Sequence, residues 1–178
     1  IQTGAAAVRE VEEGATVPDV DVTVAGERPL LVVEGEVLEG GKQRRMVNIS
    51  LILPKGKHRM PVSCIEAGRW GARHTSRHAG RPRTDADEGT HFQMAEFNTH
   101  SRLRRESKVS MKARLLRSGQ ARPDQGKVWE EVSEKLEGMG VSSRTSDAGA
   151  VYEHHGESIR ELIDQIEQAP GQVGAVVA

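Results

Sequence analysis

Apolar and polar residues alternate over much of the first third of the chain, between residues 8 and 66. Val20, Val22 and Val24 alternate with aspartate and threonine, and residues 46–53 form a second alternating run. A period of two is typical of strands that bury one face. We therefore predict four or more short strands joined by tight turns, the pattern of a mainly antiparallel sheet or sandwich.

Glycine and proline mark where these strands bend or end. The apolar run at residues 30–38 contains Gly35, which indicates a bulge or a close backbone approach within one strand. Residues 54–57, with the sequence PKGK, are typical of a turn. The next strand is predicted over residues 60–66.

The spacing of apolar residues becomes helical from Ser101 onward. We predict that Ser101 caps a helix that ends at Gly119. Asp124 follows a proline and is predicted to cap a second helix, which ends at Gly138 or Gly140.

Two further helices are predicted near the end of the chain. The first is short and covers residues 147–155. In the second, four apolar residues between 159 and 166 follow the i, i+3, i+4, i+7 spacing of one helix face, and an Ala-Pro-Gly sequence at 169–171 ends the helix. Residues 172–178 are then predicted to form a strand that returns to the sheet.

Residues 71–100 hold histidines, arginines and glycines without a sustained period. The absence of a period predicts a long mobile loop. Loops of this length are uncommon in compact domains and tend to be functional lids or disordered segments. The chain, residues 1–178, is thus predicted to be one α+β domain. Residues 1–70 form the β-rich layer, and residues 101–178 supply three or four covering helices and the terminal strand.

The composition excludes several classes of protein. The single cysteine, Cys64, excludes a disulfide framework within the chain and a multi-cysteine zinc or iron-sulfur site, and it fits the reducing cytoplasm. Five aromatic residues are too few for a surface that stacks several bases. No apolar stretch approaches the roughly 18 residues of a membrane span, so we predict a cytoplasmic protein without a membrane partner.

The missing initial Met and the apolar last residues predict a piece of a longer product, truncated at its C-terminal end.

The charge is strongly segregated although the net charge is −1. Residues 42–122 carry 19 Lys and Arg against 6 Asp and Glu, and the remaining residues carry 6 against 20. The basic segment either neutralises the acidic ends within the fold or faces an acidic protein partner, which includes another copy of the chain. Nucleic acid is the least favoured partner, because a total near zero gives no long-range attraction to a polyanion.

The run GGKQRR at residues 40–45 joins two predicted strands. Its glycines let backbone N–H groups approach an anion, while Gln43, Arg44 and Arg45 supply further donors. The run can therefore hold a phosphate group. The alternative is a plain hairpin turn with solvated basic residues, since the spacing of a P-loop is absent.

The run PVSCIEAGRW at residues 61–70 ends a predicted strand with three residues of interest. Glu66 can accept hydrogen bonds from ribose hydroxyls, Arg69 can donate to phosphate, and Trp70 can stack on a base. The alternative is an ion pair beneath a core tryptophan. We predict that both runs converge on one pocket that binds a nucleotide-like small molecule, with the ligand-binding residues Gln43, Arg45, Glu66, Arg69 and Trp70.

The remaining candidates for chemistry are weaker. Cys64 is interpreted as a buried structural thiol, because the carboxylate of Glu66 on the same strand face raises a thiol pKa. His74 and His78 have the i, i+4 spacing of a metal pair, but no carboxylate is fixed beside them, so we predict no metal and no cofactor. The sequence lacks Ser-His-Asp, H-E-x-x-H and dinucleotide-binding motifs, which leaves enzymatic activity open.

Several runs together resemble a family named for its gene neighbours, the ARG (ADP-ribosylglycohydrolase) and rhodanese-phosphatase-superfamily-associated protein domain, ARPP. They are EGEVLEGGKQRR at residues 34–45, PVSCIEAGRW at 61–70, QGKVWEEV at 125–132, and residues 143–152. The resemblance spans most of residues 28–178, and its first two runs are specific in combination.

The resemblance implies an α+β fold and a role in ADP-ribose or NAD metabolism, without an assigned activity. Gene association says nothing physical about a site. The positions that match the family's polar pattern are Gln43, Arg45, Cys64, Glu66, Arg69, Trp70, Gln125 and Trp129.

Overall fold

A computed structural model describes residues 5–11, 18–69, 91–166 and 169–174. The strands are β1 (Ala6–Glu10), β2 (Asp19–Val24), β3 (Leu30–Val32), β4 (Glu36–Gly40), β5 (Arg45–Val47), β6 (Leu51–Leu53), β7 (Gly56–Cys64) and β8 (His91–Asn98). The helices are α1 (Ser101–Ser118), α2 (Gln125–Gly138), α3 (Gly149–His154) and α4 (Gly156–Asp164). The predicted α+β class is confirmed, with a strand-rich N-terminal part followed by helices.

Six strands close into a barrel in the order β1-β2-β7-β5-β4-β8, and neighbouring strands run antiparallel. The alternating valines of β2 are buried inside it, as the period of two predicts. β3 and β6 pair with each other in a separate two-stranded sheet. Val32 and Leu53 of that small sheet join the apolar cluster of the barrel interior.

A second apolar cluster lies between the barrel wall and the helices. In β4 and β5, successive residues divide between the two clusters: Leu38 and Val47 belong to the interior, and Val37 and Met46 pack with the helices. These strands are therefore apolar on both faces, the pattern of strands covered on both sides. Helices α1, α2 and α3 contribute Leu103, Val128 and Val151, among others, to the second cluster.

The predicted loop at residues 71–100 is wrong for residues 91–98, which form β8 and close the barrel between β4 and β1. The register of β8 against β4 shifts between Glu36 and Leu38. Phe92 packs into the barrel cluster, whereas Phe97 packs with the helices. Met94 shares the face of Phe92 and Ala95 shares the face of Phe97, as a period of two requires. Because β8 is covered by apolar residues on both faces, its sequence lacks the alternation of polar and apolar residues. Residues 70–90 lie outside the described part.

The run at residues 30–38 is two strands in different sheets, not one strand with a bulge. Gly35 separates them with φ +84°, a conformation that other residues rarely adopt. A β-carbon at Gly35 would also overlap the Arg104 side chain. Another part of the chain therefore approaches Gly35 closely, but the approaching group is the side chain of Arg104 and not a backbone segment.

The four predicted helices are found, but α4 ends at Asp164, before the Ala-Pro-Gly sequence that was predicted to end it. α1 is capped by His100, not Ser101: the His100 Nδ1 accepts a hydrogen bond from Leu103 N at 3.2 Å. Residues 172–174 form no strand, and residues 175–178 lie outside the described part. Asp124 caps α2 as predicted and accepts from the N–H group of Gly126 at 3.0 Å. No described helix is both long enough and apolar enough to cross a bilayer.

Candidate functional site

The polar end of the barrel is the end at which β1, β4 and β7 finish and β5 and β8 begin. Pairing of β5 with β7 sets Arg45 opposite Cys64. Gln43 connects the two candidate runs, because its Nε2 donates to Glu66 O at 3.0 Å and its Oε1 accepts from Arg45 Nη1 at 2.8 Å. Arg69 joins the group through an ion pair with Glu66 at 2.8 Å. Four of the five candidate residues thus lie together, and Trp70 lies outside the described residues.

Arg45 is the most unusual member of this group because its side chain is fully buried. Its Nη2 lies 3.6 Å from Glu10 Oε2, an ion pair that is too long for a hydrogen bond. Among the described residues, Arg45 Nε and Nη2 have no hydrogen-bond acceptor. A buried donor without an acceptor costs about 1–3 kcal/mol, and more when it is charged.

Glu66 is also fully buried, and both of its carboxylate oxygens are engaged. Oε2 accepts from Arg44 N at 3.1 Å and pairs with Arg69, while Oε1 accepts from Thr145 Oγ1 at 3.0 Å. The Glu66 backbone forms a bridge with Asp147, which ties the barrel to the segment before α3. The carboxylate therefore organises the site from within and is not turned toward solvent.

The glycine turn after β4 directs its backbone N–H groups inward. Gly41 N donates to His91 O at 2.9 Å, and Lys42 N donates to Glu10 Oε1 at 2.8 Å. A β-carbon at Gly41 would overlap the ring of Phe92, so the turn packs directly on the barrel end. These N–H groups are thus already bonded within the protein, and the predicted backbone cradle for a phosphate is not formed by them.

Arg69 lies at the edge of the group and is partly exposed, with 13% of its side chain accessible to solvent. Its Nη1 donates to Gly41 O at 3.1 Å, which ties the end of the second run to the glycine turn. Among the four described candidates, this guanidinium is the one that reaches the surface, since Gln43, Arg45 and Glu66 are buried.

Cys64 is fully buried, as predicted for a structural thiol. Burial is the main cause that raises the pKa of its thiol, while the hydrogen bond to Glu66 O, the charge of Arg45 and the Trp129 indole oppose the rise. The nearby Glu66 carboxylate contributes the smallest effect, which raises the pKa as expected. The thiol is therefore protonated and shielded at neutral pH.

Gln125, one of the residues that match the family pattern, fixes α2 to the end of β7. Gln125 Nε2 donates to Cys64 O at 2.7 Å, and Cys64 N donates to Gln125 Oε1 at 3.0 Å. The side-chain amide of Gln125 thus bonds both the N–H and the C=O group of Cys64, as the backbone of a neighbouring strand would.

Glu10 and Asp147 hold this site although neither was expected from the sequence, and Arg44 was expected only as a donor in the GGKQRR run. Glu10 follows Val8 on the inward face of β1, so a charge at an inward strand position was its available signal. Arg44 Nη1 donates to Asp147 Oδ2 at 2.6 Å, and both side chains are buried. No sequence signal joins Arg44 to Asp147, because they lie 103 positions apart.

Among the described residues, most ion pairs of the basic segment reach the acidic parts of the chain on either side of it. This matches the interpretation that the fold neutralises its own charge. The pairs of this kind are Arg44 with Glu39, Asp147 and Glu153, Arg45 with Glu10, Lys55 with Glu27, Arg59 with Asp21, Arg102 with Glu131 and Glu134, Lys108 with Glu34, and Arg122 with Asp19.

The candidate metal pair, His74 and His78, lies outside the described residues. Within the described ranges, no group of three or more His, Cys, Asp or Glu side chains is arranged to hold a metal ion.

The fold and site define a small α+β domain whose barrel end carries a buried, charged hydrogen-bond network. The family model of the ARG and Rhodanese-Phosphatase-superfamily-associated Protein domain, ARPP-1, matches residues 1–178, and the chain belongs to this family. The match covers the whole chain, which is more than the motif resemblance covered. Searches of curated proteins and of solved structures each gave no match.

Proposed function

We propose that the polar end of the barrel binds a small molecule that carries phosphate and ribose groups, of the ADP-ribose or NAD class. The observation that carries the proposal is the buried Arg45 guanidinium, whose Nε and Nη2 have no hydrogen-bond acceptor among the described residues. Phosphate oxygens are strong acceptors for a guanidinium group, and arginine binds them through two parallel hydrogen bonds. The family's association with ADP-ribosylglycohydrolases supports this ligand class.

The contacts of the four described candidates favour distinct roles for them in this proposal. Arg69 is partly exposed and adjoins the glycine turn, so it is proposed to meet the ligand first. Arg45 is proposed to complete its hydrogen bonds with the ligand's phosphate. Gln43 and Glu66 are positioning residues, because each already holds one of the two guanidinium groups. Trp70, the next residue after Arg69, is proposed to stack on the base.

Calorimetric titration of the chain with ADP-ribose, NAD and inorganic phosphate tests the proposal. We expect binding of ADP-ribose or NAD with a dissociation constant below about 1 mM, an affinity of about −4 kcal/mol, and a rise in melting temperature. Inorganic phosphate separates recognition of the anion alone from recognition of the whole ligand. Absence of heat together with an unchanged melting temperature for all three compounds removes the proposal.

Two arginine variants sharpen the test. Arg69→Gln removes a charged donor and is expected to weaken binding about 10- to 150-fold, the equivalent of about 1.5–3 kcal/mol. Arg59→Gln is the matched control, because Arg59 is 57% exposed on β7 and pairs with Asp21 away from the site. The arginine Nε–H resonance of Arg45 is expected to shift when the ligand is added. Equal affinities for the two variants contradict the placement of the site.

A further inference from the structure

Helix α4 carries an apolar face that the described part of the chain leaves open. None of its residues is buried, and Leu162, Ile163 and Ile166 beside it are 62%, 59% and 77% exposed. Ile159, Leu162 and Ile163 follow the i, i+3, i+4 spacing, so they lie along one face of α4, and Ile166 lies just after the end of the helix. An amphipathic helix gains most of its stability from packing such a face. The face therefore has the character of a contact surface.

A groove of about 350 Å³ runs beside this face, lined in part by Ile159 and Ile163. The stacked rings of Phe97 and Tyr152, with centroids 4.2 Å apart, form its apolar floor. Arg44, which also lines the groove, pairs with the buried Asp147 and with Glu39 and Glu153 at the groove. The groove's other charged lining residues are Glu39, Glu96, Glu153 and Arg160. Helix α4 adds Glu157, Glu161 and Asp164, so the charge around the groove is acidic overall. An apolar floor with an acidic rim fits an amphipathic helix that carries basic residues.

The outer face of α1 has this chemistry. The helix carries seven Lys and Arg residues against one Glu. Its buried residues, Leu103, Ser107 and Ser110, lie on one side. The opposite side presents a stripe of alternating basic and apolar residues at i, i+4, i+7 and i+11. That stripe consists of Arg105, Val109, Lys112 and Leu116, with Val109 57% and Leu116 78% exposed.

We propose that the outer face of α1 in one copy of the chain docks on the α4 face and groove of a second copy. The stripe from Arg105 to Leu116 is about 16 Å long and the nine residues of α4 span about 13 Å, so the two faces match in length. Charge complementarity selects the orientation, because basic α1 meets the acidic rim. The two faces differ, so the contact is head-to-tail and builds rings or longer chains. This inference is independent of the ligand proposed for the barrel end.

The test measures the molecular mass of the protein in solution by sedimentation and by light scattering. The wild-type chain is expected to assemble as its concentration rises and to dissociate as salt is raised, because salt screens the charged rim. Leu116→Asp places a charge in the α1 stripe, and Ile163→Asp places one in the α4 face. Each is expected to weaken assembly at least about tenfold. Ile52→Asp is the matched control, since Ile52 is 70% exposed on β6, and it is expected to assemble like the wild type.

Mixing the two variants gives the decisive result. Leu116→Asp keeps an intact groove and Ile163→Asp keeps an intact α1, so an equal mixture is expected to form a 1:1 dimer, while each variant alone stays monomeric. Circular dichroism checks that both are folded, and Lys112→Glu replaces Leu116→Asp if that variant is not. A monomeric wild type at all concentrations overturns the proposal. Assembly of Leu116→Asp alone also overturns it, because that result indicates symmetric pairing of α4 with itself.

Discussion

Replacing Gly149 with alanine perturbs the buried ion pair that joins the barrel to α3. A β-carbon at Gly149 would overlap Nη1 and Cζ of Arg44. The Arg44 guanidinium must then leave its place, 2.6 Å from Asp147 Oδ2, where both side chains are almost inaccessible. Asp147 would remain buried, with its Oδ1 still bound to the N–H group of Gly149.

The expected change in the free energy of unfolding follows from two opposing effects. Breaking a buried ion pair while one charge stays buried costs about 3–5 kcal/mol. Alanine is a better helix former than glycine by about 1 kcal/mol, and Gly149 is the first residue of α3. The ion pair dominates, so we expect Gly149→Ala to lower the free energy of unfolding by about 2–4 kcal/mol. For a chain of this length, the melting temperature should fall by roughly 4–16 °C.

Urea unfolding followed by tryptophan fluorescence measures this loss. Gly156→Ala is the matched control, because Gly156 also begins a helix but its added β-carbon meets nothing within 4 Å. It should be neutral or slightly stabilising. In a background of Arg44→Met with Asp147→Asn, Gly149→Ala should cost less than about 1 kcal/mol, since no ion pair remains to be broken. Equal stabilities of Gly149→Ala and the wild type would refute the reasoning.

Three further predictions concern caps and titrating groups. Asp124→Ala removes the cap of α2 and should lower the free energy of unfolding by about 1 kcal/mol in urea, whereas Asp124→Asn should retain it. Cys64 should react with iodoacetamide at least about tenfold more slowly in the folded chain than in urea, because burial raises the pKa of its thiol; equal rates would show that the thiol is accessible. Burial and nearby cations lower the pKa of His100, and its neutral Nδ1 caps α1. The cap therefore stabilises the fold at pH above the ordinary histidine pKa, and this stabilisation is lost as the pH falls through the lowered pKa of the folded state. Unfolding at about pH 7.5 and about pH 5 should therefore show a smaller stability difference in His100→Asn than in the wild type, and an unchanged difference would exclude this role.

Local pattern was enough to predict the elements whose cause is local. The alternation of Val20, Val22 and Val24 predicted a strand because one of its faces is buried. Asp124 predicted the start of α2 because a cap needs only the three residues that follow it. The segregation of charge was also visible, although not the partner of each charge.

The barrel and its buried network depended on contacts between distant parts of the chain. β8 closes the barrel and packs on apolar residues on both faces, so its sequence lacks the alternation that predicts a strand. Arg44 meets Asp147 across 103 positions, and Arg45 meets Glu10 only because the barrel closes. A sequence pattern records which face of a segment is apolar, whereas only tertiary packing determines which charged groups share one interior. For this protein, the sequence alone therefore determined the α+β class and the runs that carry the candidate site. The tertiary structure decided that Arg45 and Glu66 are buried and that Arg69 reaches the surface, because the burial of a charge depends on everything packed around it.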